Sequence, residues 1–172
     1  MRPAIARSAL GRESSSRRND RTTSLDLVSR WLPVVLWAGM ISAFSTQYFG
    51  ETYTGGFIYP ALKLILPHAA PETLVRIHHA IRKLAHLTEY AILAMLVWRA
   101  VEPGERRSLR AALLVLVACA AYASIDEAHQ LVVEGRTASM LDVAIDTFGA
   151  GLGIAARGAL AMAATAGRRW RA

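Results

Sequence analysis

Trp31 to Phe49 reads WLPVVLWAGMISAFSTQYF, nineteen consecutive residues without a charged side chain. At about 1.5 Å per residue, a helix of that length crosses a bilayer core of about 30 Å. This stretch decides the fold class, because no soluble domain leaves such a helix uncovered. It also exceeds the apolar core of a signal peptide, so it reads as a retained span. The 172-residue chain carries 20 Lys and Arg against 13 Asp and Glu, a formal charge of +7, and is 53% apolar. A basic balance alone would suit nucleic acid. The arginines, however, cluster in a tail, a loop and the C-terminus, where anionic membrane lipids account for them. Lipids, and no nucleic acid, are therefore the expected partners.

Outward from this stretch the chain divides readily. Residues 1–25 form a basic tail with Ser14-Ser15-Ser16-Arg17-Arg18-Asn19-Asp20 and little to bury, expected to be disordered and cytoplasmic. Gly50 to Ile81 reads as a loop with Gly55, Gly56, Pro60, Pro67 and Pro71. Toward its end and just beyond, Leu74, Ile77, Ile81 and Leu84 recur at helical spacing, and Pro71 suits a first helical turn. An interfacial amphipathic segment running into the second helix is expected there, with His78 and His79 solvated. That helix has only nine uncharged residues, Tyr90 to Trp98, and reaches spanning length by including His86 and Glu89. The third has fifteen, Ala111 to Ile125, before Asp126 and Glu127. The fourth, about Leu141 to Met162, contains Asp142 and Asp146. The expected fold is all-α: a polytopic bundle of four transmembrane helices plus an extracytoplasmic amphipathic segment, over residues 26–166, with a basic cytoplasmic end at 167–172.

Two shorter features read as packing. Gly149 and Gly153 lie four residues apart, the small-xxx-small face of closely approaching membrane helices. No strand precedes them, as a dinucleotide loop would require. Cys119, the single cysteine, stands in an apolar run as a small buried side chain.

Basic residues orient the bundle. Fifteen Lys and Arg fall in the tail, the connection holding Arg99, Arg106, Arg107 and Arg110, and the C-terminal end. Five fall on the other side: Lys63, Arg76, Arg82, Lys83 and Arg136. Both termini are then cytoplasmic in a multi-pass protein of the inner membrane. The same orientation sends Ser45-Thr46-Gln47, Arg82 to Tyr90, Asp126 to Gln130, and Asp142 with Asp146 to the outer leaflet. Ionisable groups at membrane depth are costly and usually functional, so their convergence predicts a site.

Helical spacing groups Lys83, His86 and Tyr90, with Arg82 and Glu89 beside them. It likewise groups Tyr122, Asp126, His129 and Gln130 on the third helix, and Asp142, Asp146 and Gly149 on the fourth. Carboxylates among imidazoles and cations tune one another's proton affinity, as acid–base chemistry needs.

Lys83-x-x-His86-x-x-Glu89-Tyr90, Asp126-Glu127-x-His129-Gln130, Gly135-Arg136, Asp142, Asp146 and Gly149 together resemble the VanZ-like membrane protein family. Ser45-Thr46-Gln47 resembles the Ser-x-Gln that closes that family's first helix. The resemblance implies a bacterial integral membrane protein of the cell envelope. Through the family's named member, it also implies a link to low-level resistance to the glycopeptide teicoplanin.

Three functional readings stand at this point. In the first, an enzyme acts on a lipid-linked or phosphate-bearing envelope substrate. Glu89, Asp126, Glu127, His129 and Asp146 are then catalytic; Lys83, Tyr90, Gln130, Arg136, Asp142 and Gln47 bind substrate. His86, Glu89, Asp126 and His129 have the donor types for a divalent metal cofactor. In the second, the same groups capture a cell-wall precursor or glycopeptide without turnover. In the third, they form an ion-pair network that pins the helices.

Overall fold

The structure, a computed structural model, describes residues 25–46, 51–101, 108–131 and 139–169. Gln47, Gly135 and Arg136 lie outside the described residues, as do the tail at 1–24 and residues 170–172. The described chain forms five helices: α1 (Leu25–Phe44), α2 (Glu51–Ile65), α3 (Pro71–Val101), α4 (Leu109–Gln130) and α5 (Met140–Arg169). Four of them, α1, α3, α4 and α5, are long and apolar enough to cross a membrane. The chain is thus a multi-pass bundle, as its sequence predicts.

One boundary and one element differ from expectation. The first span is Leu25–Phe44, not Trp31–Phe49, because Asp26 and Arg30 are tolerated at its start and the chain turns at Ser45 and Thr46. Backbone bonds from Ser45 N to Ile41 O (2.9 Å) and Thr46 N to Ala43 O (3.2 Å) close that end. The second difference is α2, a helix where glycines and prolines predict a loop. Gly55 is buried beneath the Tyr59 ring, where a Cβ would come within 2.7 Å of Cε2. The missing side chain lets Tyr59 lie back along α2 toward α3, and that tertiary contact outweighs weak local propensity.

α3 is one helix of 31 residues starting at Pro71. At about 1.5 Å per residue it is some 46 Å long, so about ten residues exceed a 30 Å bilayer core. α2 packs on the N-terminal part of α3. His78 lies at the centre of the contact: its Nε2 is 3.2 Å from Thr54 Oγ1, its Nδ1 3.3 Å from Tyr59 OH, and its ring 5.0 Å from the Tyr59 ring. His78 is therefore fully buried, not solvated as its sequence position suggested, whereas His79 is exposed.

Lipid gives helices no hydrophobic reason to associate, so close backbone approach and hydrogen bonds must do it. The most extensive contact joins α3 and α5. Gly149 lies against the backbone of Leu87 and Gly153 against that of Ala91, closer than any Cβ could sit. Four residues forward on α5 matches four forward on α3, so these helices run parallel. α4 contributes a buried stripe of Ala111, Val115, Cys119 and Ala123, each four residues from the last. α1 is tied on by polar groups. Trp37 Nε1 donates to Glu89 O (2.9 Å), Tyr122 OH to Ala38 O (2.6 Å) and Arg99 Nη2 to Ser29 O (2.9 Å).

Candidate functional site

The topology brings the end of α1, the middle of α3, the end of α4 and the start of α5 together. There Ser45 Oγ donates to Asp126 Oδ2 at 2.5 Å, and Gln130 Nε2 donates to the same oxygen at 3.3 Å. All three residues are buried. Asp126 thus ties α1 to α4. Glu127, also buried, accepts the backbone N–H of Ser139 through Oε1. Ser139 O in turn accepts from Asp142 N (2.9 Å) and Val143 N (3.4 Å), which makes Ser139 the residue capping α5. Glu127 therefore supplies from α4 what a capping-box glutamate supplies from within its own helix. Its charge beside the N-terminus of α5, with Asp142 in the first turn, also suits the helix dipole. Glu127→Gln should lower stability by about 1 kcal/mol, read as an earlier thermal unfolding of the purified protein.

A second group centres on His86. Its Nδ1 lies 3.7 Å from Glu89 Oε2, one turn along α3, and 3.9 Å from Asp146 Oδ1 on α5. Asp146 is buried, and Oδ1 has no hydrogen-bond partner among the described residues. Tyr90 is fully buried beside this group, with its OH likewise without a hydrogen-bond partner among the described residues and its ring 6.2 Å from that of Tyr122.

His86 and Glu89 face a cavity of about 270 Å³ between α1, α2 and α3. Arg82 and Thr54 share its polar wall, with Arg82 Nη1 donating to Thr54 Oγ1 at 3.3 Å. Phe44, Ile58, Ile81 and Ala85 form the apolar remainder. The lining thus joins a guanidinium, an imidazole and a carboxylate to hydrocarbon. That composition can hold an anionic oxygen group while exchanging a proton with it.

The anticipated residues fall into distinct places. Glu89, Asp126, Glu127 and Asp146 are gathered at one end, but only Glu89 lines the cavity. Tyr90 and Gln130 are buried in the helix contacts, and Asp142 is half-buried at the start of α5. Lys83 is exposed; Arg82, its neighbour, is the basic residue of the cavity. His129 is exposed as well. The buried arc of α4 runs through Cys119, Ala123, Asp126, Glu127 and Gln130. At about 100° per residue, His129 falls roughly 100° from its centre. The metal set of His86, Glu89, Asp126 and His129 is therefore not assembled. Among the described residues no group of three or more His, Cys, Asp or Glu is placed to hold a metal ion.

Thr54, Tyr59 and His78 carry no signal in the sequence that would have found them, because a loop assignment hides the helix that aligns them. Arg82 was visible by spacing, and only the packing of α2 distinguishes it from Lys83.

No curated protein and no solved structure matches the chain at a significant level. The family model described as VanZ/LLP1 matches residues 30–160, a stretch that runs from within α1 into α5 and includes every residue of both polar groups. With three-quarters of its length matched and the four spans in place, the chain belongs to the VanZ/LLP1 family.

Proposed function

We propose that this protein binds the phosphate-bearing headgroup of a cell-envelope precursor in the cavity between α1, α2 and α3. The observation that carries the reading is the cavity's own wall, where Arg82 and His86 stand beside Glu89 within a hydrocarbon surround. Guanidinium recognises phosphate by paired, charge-assisted hydrogen bonds. The Arg-rich tail, α3–α4 connection and C-terminus argue for cytoplasmic termini in an inner membrane. On that orientation the cavity opens at the outer leaflet, and α2 with the projecting start of α3 is the extracytoplasmic amphipathic segment. Of the two partner classes that family resemblance brings, precursor and glycopeptide, the guanidinium of Arg82 in the cavity wall favours the phosphate-bearing precursor. A role in glycopeptide resistance would then act through the precursor pool. Any acid–base step on the bound group falls to His86, with Glu89 and Asp146 behind its Nδ1.

Arg82→Gln tests this. Removing one charge-assisted contact costs about 1.5–3 kcal/mol, so retention of a monophosphate lipid by the purified protein should fall at least about tenfold. Retention of a phosphocholine lipid should not change. Equal retention of both lipids by both proteins would reject the reading.

A second reading, a scaffold without ligand, draws support from Asp126 and Glu127, whose bonds to Ser45, Gln130 and Ser139 join helices. It accounts for these two carboxylates. It also covers the Arg82–Thr54 and His86–Asp146 contacts, but it assigns no role to the cavity that Arg82, His86 and Glu89 line.

A further inference from the structure

We propose that the ligand is a membrane lipid whose hydrocarbon tail lies in the groove between α1 and α3, so that it enters sideways from the bilayer. The inference rests on the phosphate reading above and names its substrate class. A groove of about 470 Å³ runs along these helices, lined by Trp37, Met40, Leu84, Thr88 and Ile92. It is continuous with the polar cavity: Phe44, Ile81, Ala85 and Glu89 line both. A second apolar cleft, of about 440 Å³, lies among α1, α3 and α4 beside Val97, Leu114 and Ala118. That cleft shares no lining residue with the polar cavity. A molecule whose phosphate meets Arg82 can lay its tail in the groove without leaving it, and cannot reach the cleft the same way.

Length agrees with this assignment. From Ile81 to Ile92 the groove follows eleven residues of α3, about 16 Å at 1.5 Å each, which is the depth of one leaflet of a 30 Å core. Apart from Glu89, its wall is also finished as hydrocarbon. The Trp37 indole N–H is consumed by Glu89 O, and the Thr88 hydroxyl by Leu84 O at 2.7 Å. The groove therefore presents ring and methyl surface below a charged mouth, an amphiphile's shape. Because lipid tails are as apolar as the groove, tail burial adds little selectivity. Selection comes from the headgroup, and the groove decides where the tail of the selected lipid resides.

The experiment places the protein in phosphatidylcholine nanodiscs with a hexadecyl phosphate that carries a diazirine at mid-chain. A phosphocholine with the same tail is the control. Photo-adducts are then mapped by peptide mass spectrometry. Adducts from the phosphate probe should concentrate on Met40, Leu84 and Ile92, about tenfold above the control probe. Arg82→Gln should abolish that excess. Thr88→Trp, a change at an exposed position, should displace the adducts from the groove by steric filling, while phosphate preference measured by lipid retention persists. Preference for phosphate with adducts on Val97, Leu114 and Ala118, or spread evenly over the lipid-facing surface, overturns the tail assignment alone. No preference for the phosphate probe at any position overturns the headgroup reading, and this inference with it.

Discussion

Gly149→Ala should strongly destabilise the folded bundle, and Gly151→Ala should leave it intact. At Gly149 the new Cβ would meet the carbonyl and Cα of Leu87, and at Gly153 those of Ala91. These are backbone atoms in the middle of a spanning helix, so no side chain can swing aside. The whole of α3 must move from α5 along their most extensive contact. Overpacking of this kind costs about 1–3 kcal/mol where neighbours can relax, and the upper end applies here because two rigid helices are forced apart. Since packing rather than hydrophobicity holds membrane helices together, little else compensates. Gly151 has open space around its Cβ position, and alanine there gains about 1 kcal/mol of helix propensity. Unfolding in a denaturing-detergent titration should show Gly149→Ala and Gly153→Ala far to the low side of wild type. Gly151→Ala should sit at or above it. Equal behaviour of the three variants would refute the parallel α3–α5 packing.

The next largest effect is expected at Asp126. Alanine there removes the acceptor of both Ser45 Oγ and Gln130 Nε2. Ser45 is fully buried and Gln130 nearly so, and within a bilayer no water replaces the lost partner. Stranding such groups costs about 1–3 kcal/mol, and the loss falls on the attachment of α1. Ser45→Ala removes a donor and leaves an acceptor that still has Gln130, so it should cost about 0.6–1.7 kcal/mol, the range for hydrogen bonds between membrane helices. The pair should be non-additive: in a chain already carrying Ser45→Ala, Asp126→Ala should cost less than in wild type. Full additivity in a double-mutant cycle would mean that the two side chains do not interact.

Sequence and structure agree most where a single physical rule dominates. Long apolar stretches, three of them with ionisable groups included near one end, yield the four spans, and Gly149 with Gly153 yields a close α3–α5 backbone contact. Pro71 marks the start of α3. The boundary of α1 shifted because Asp26 and Arg30 at a helix end cost little beside headgroups, so a charge-free run misjudges both limits. α2 was hidden for a different reason. Gly55 and Pro60 lower helix propensity locally, but a buried His78 between Thr54 and Tyr59 offsets this from some twenty residues further along the chain, where no periodicity can register it.

The candidate site was legible as a set and not as an arrangement. Placing Glu89, Asp126, Glu127 and Asp146 at one end followed from topology alone. Which of them face a ligand depends on phase and partners. Asp126 and Glu127 turn to Ser45 and Ser139, His129 turns outward, and Arg82 rather than Lys83 reaches the cavity. A difference of one residue is about 100° on a helix, enough to exchange a pocket for the lipid. Spacing rules that treat i, i+3 and i+4 as equivalent cannot resolve it.

A phosphate headgroup should reach the cavity beside His86 from outside the cell. Ala85 lines that cavity, and Cys119 is the single native thiol, buried among the helices. Ala85→Cys combined with Cys119→Ser therefore supplies one reporter. A membrane-impermeant thiol reagent should label it in intact cells and not in inside-out vesicles, and dodecyl phosphate should slow that labelling at least about fivefold. Labelling from the cytoplasmic side alone, or labelling from outside at a rate that dodecyl phosphate leaves unchanged, would contradict an outward-facing phosphate site.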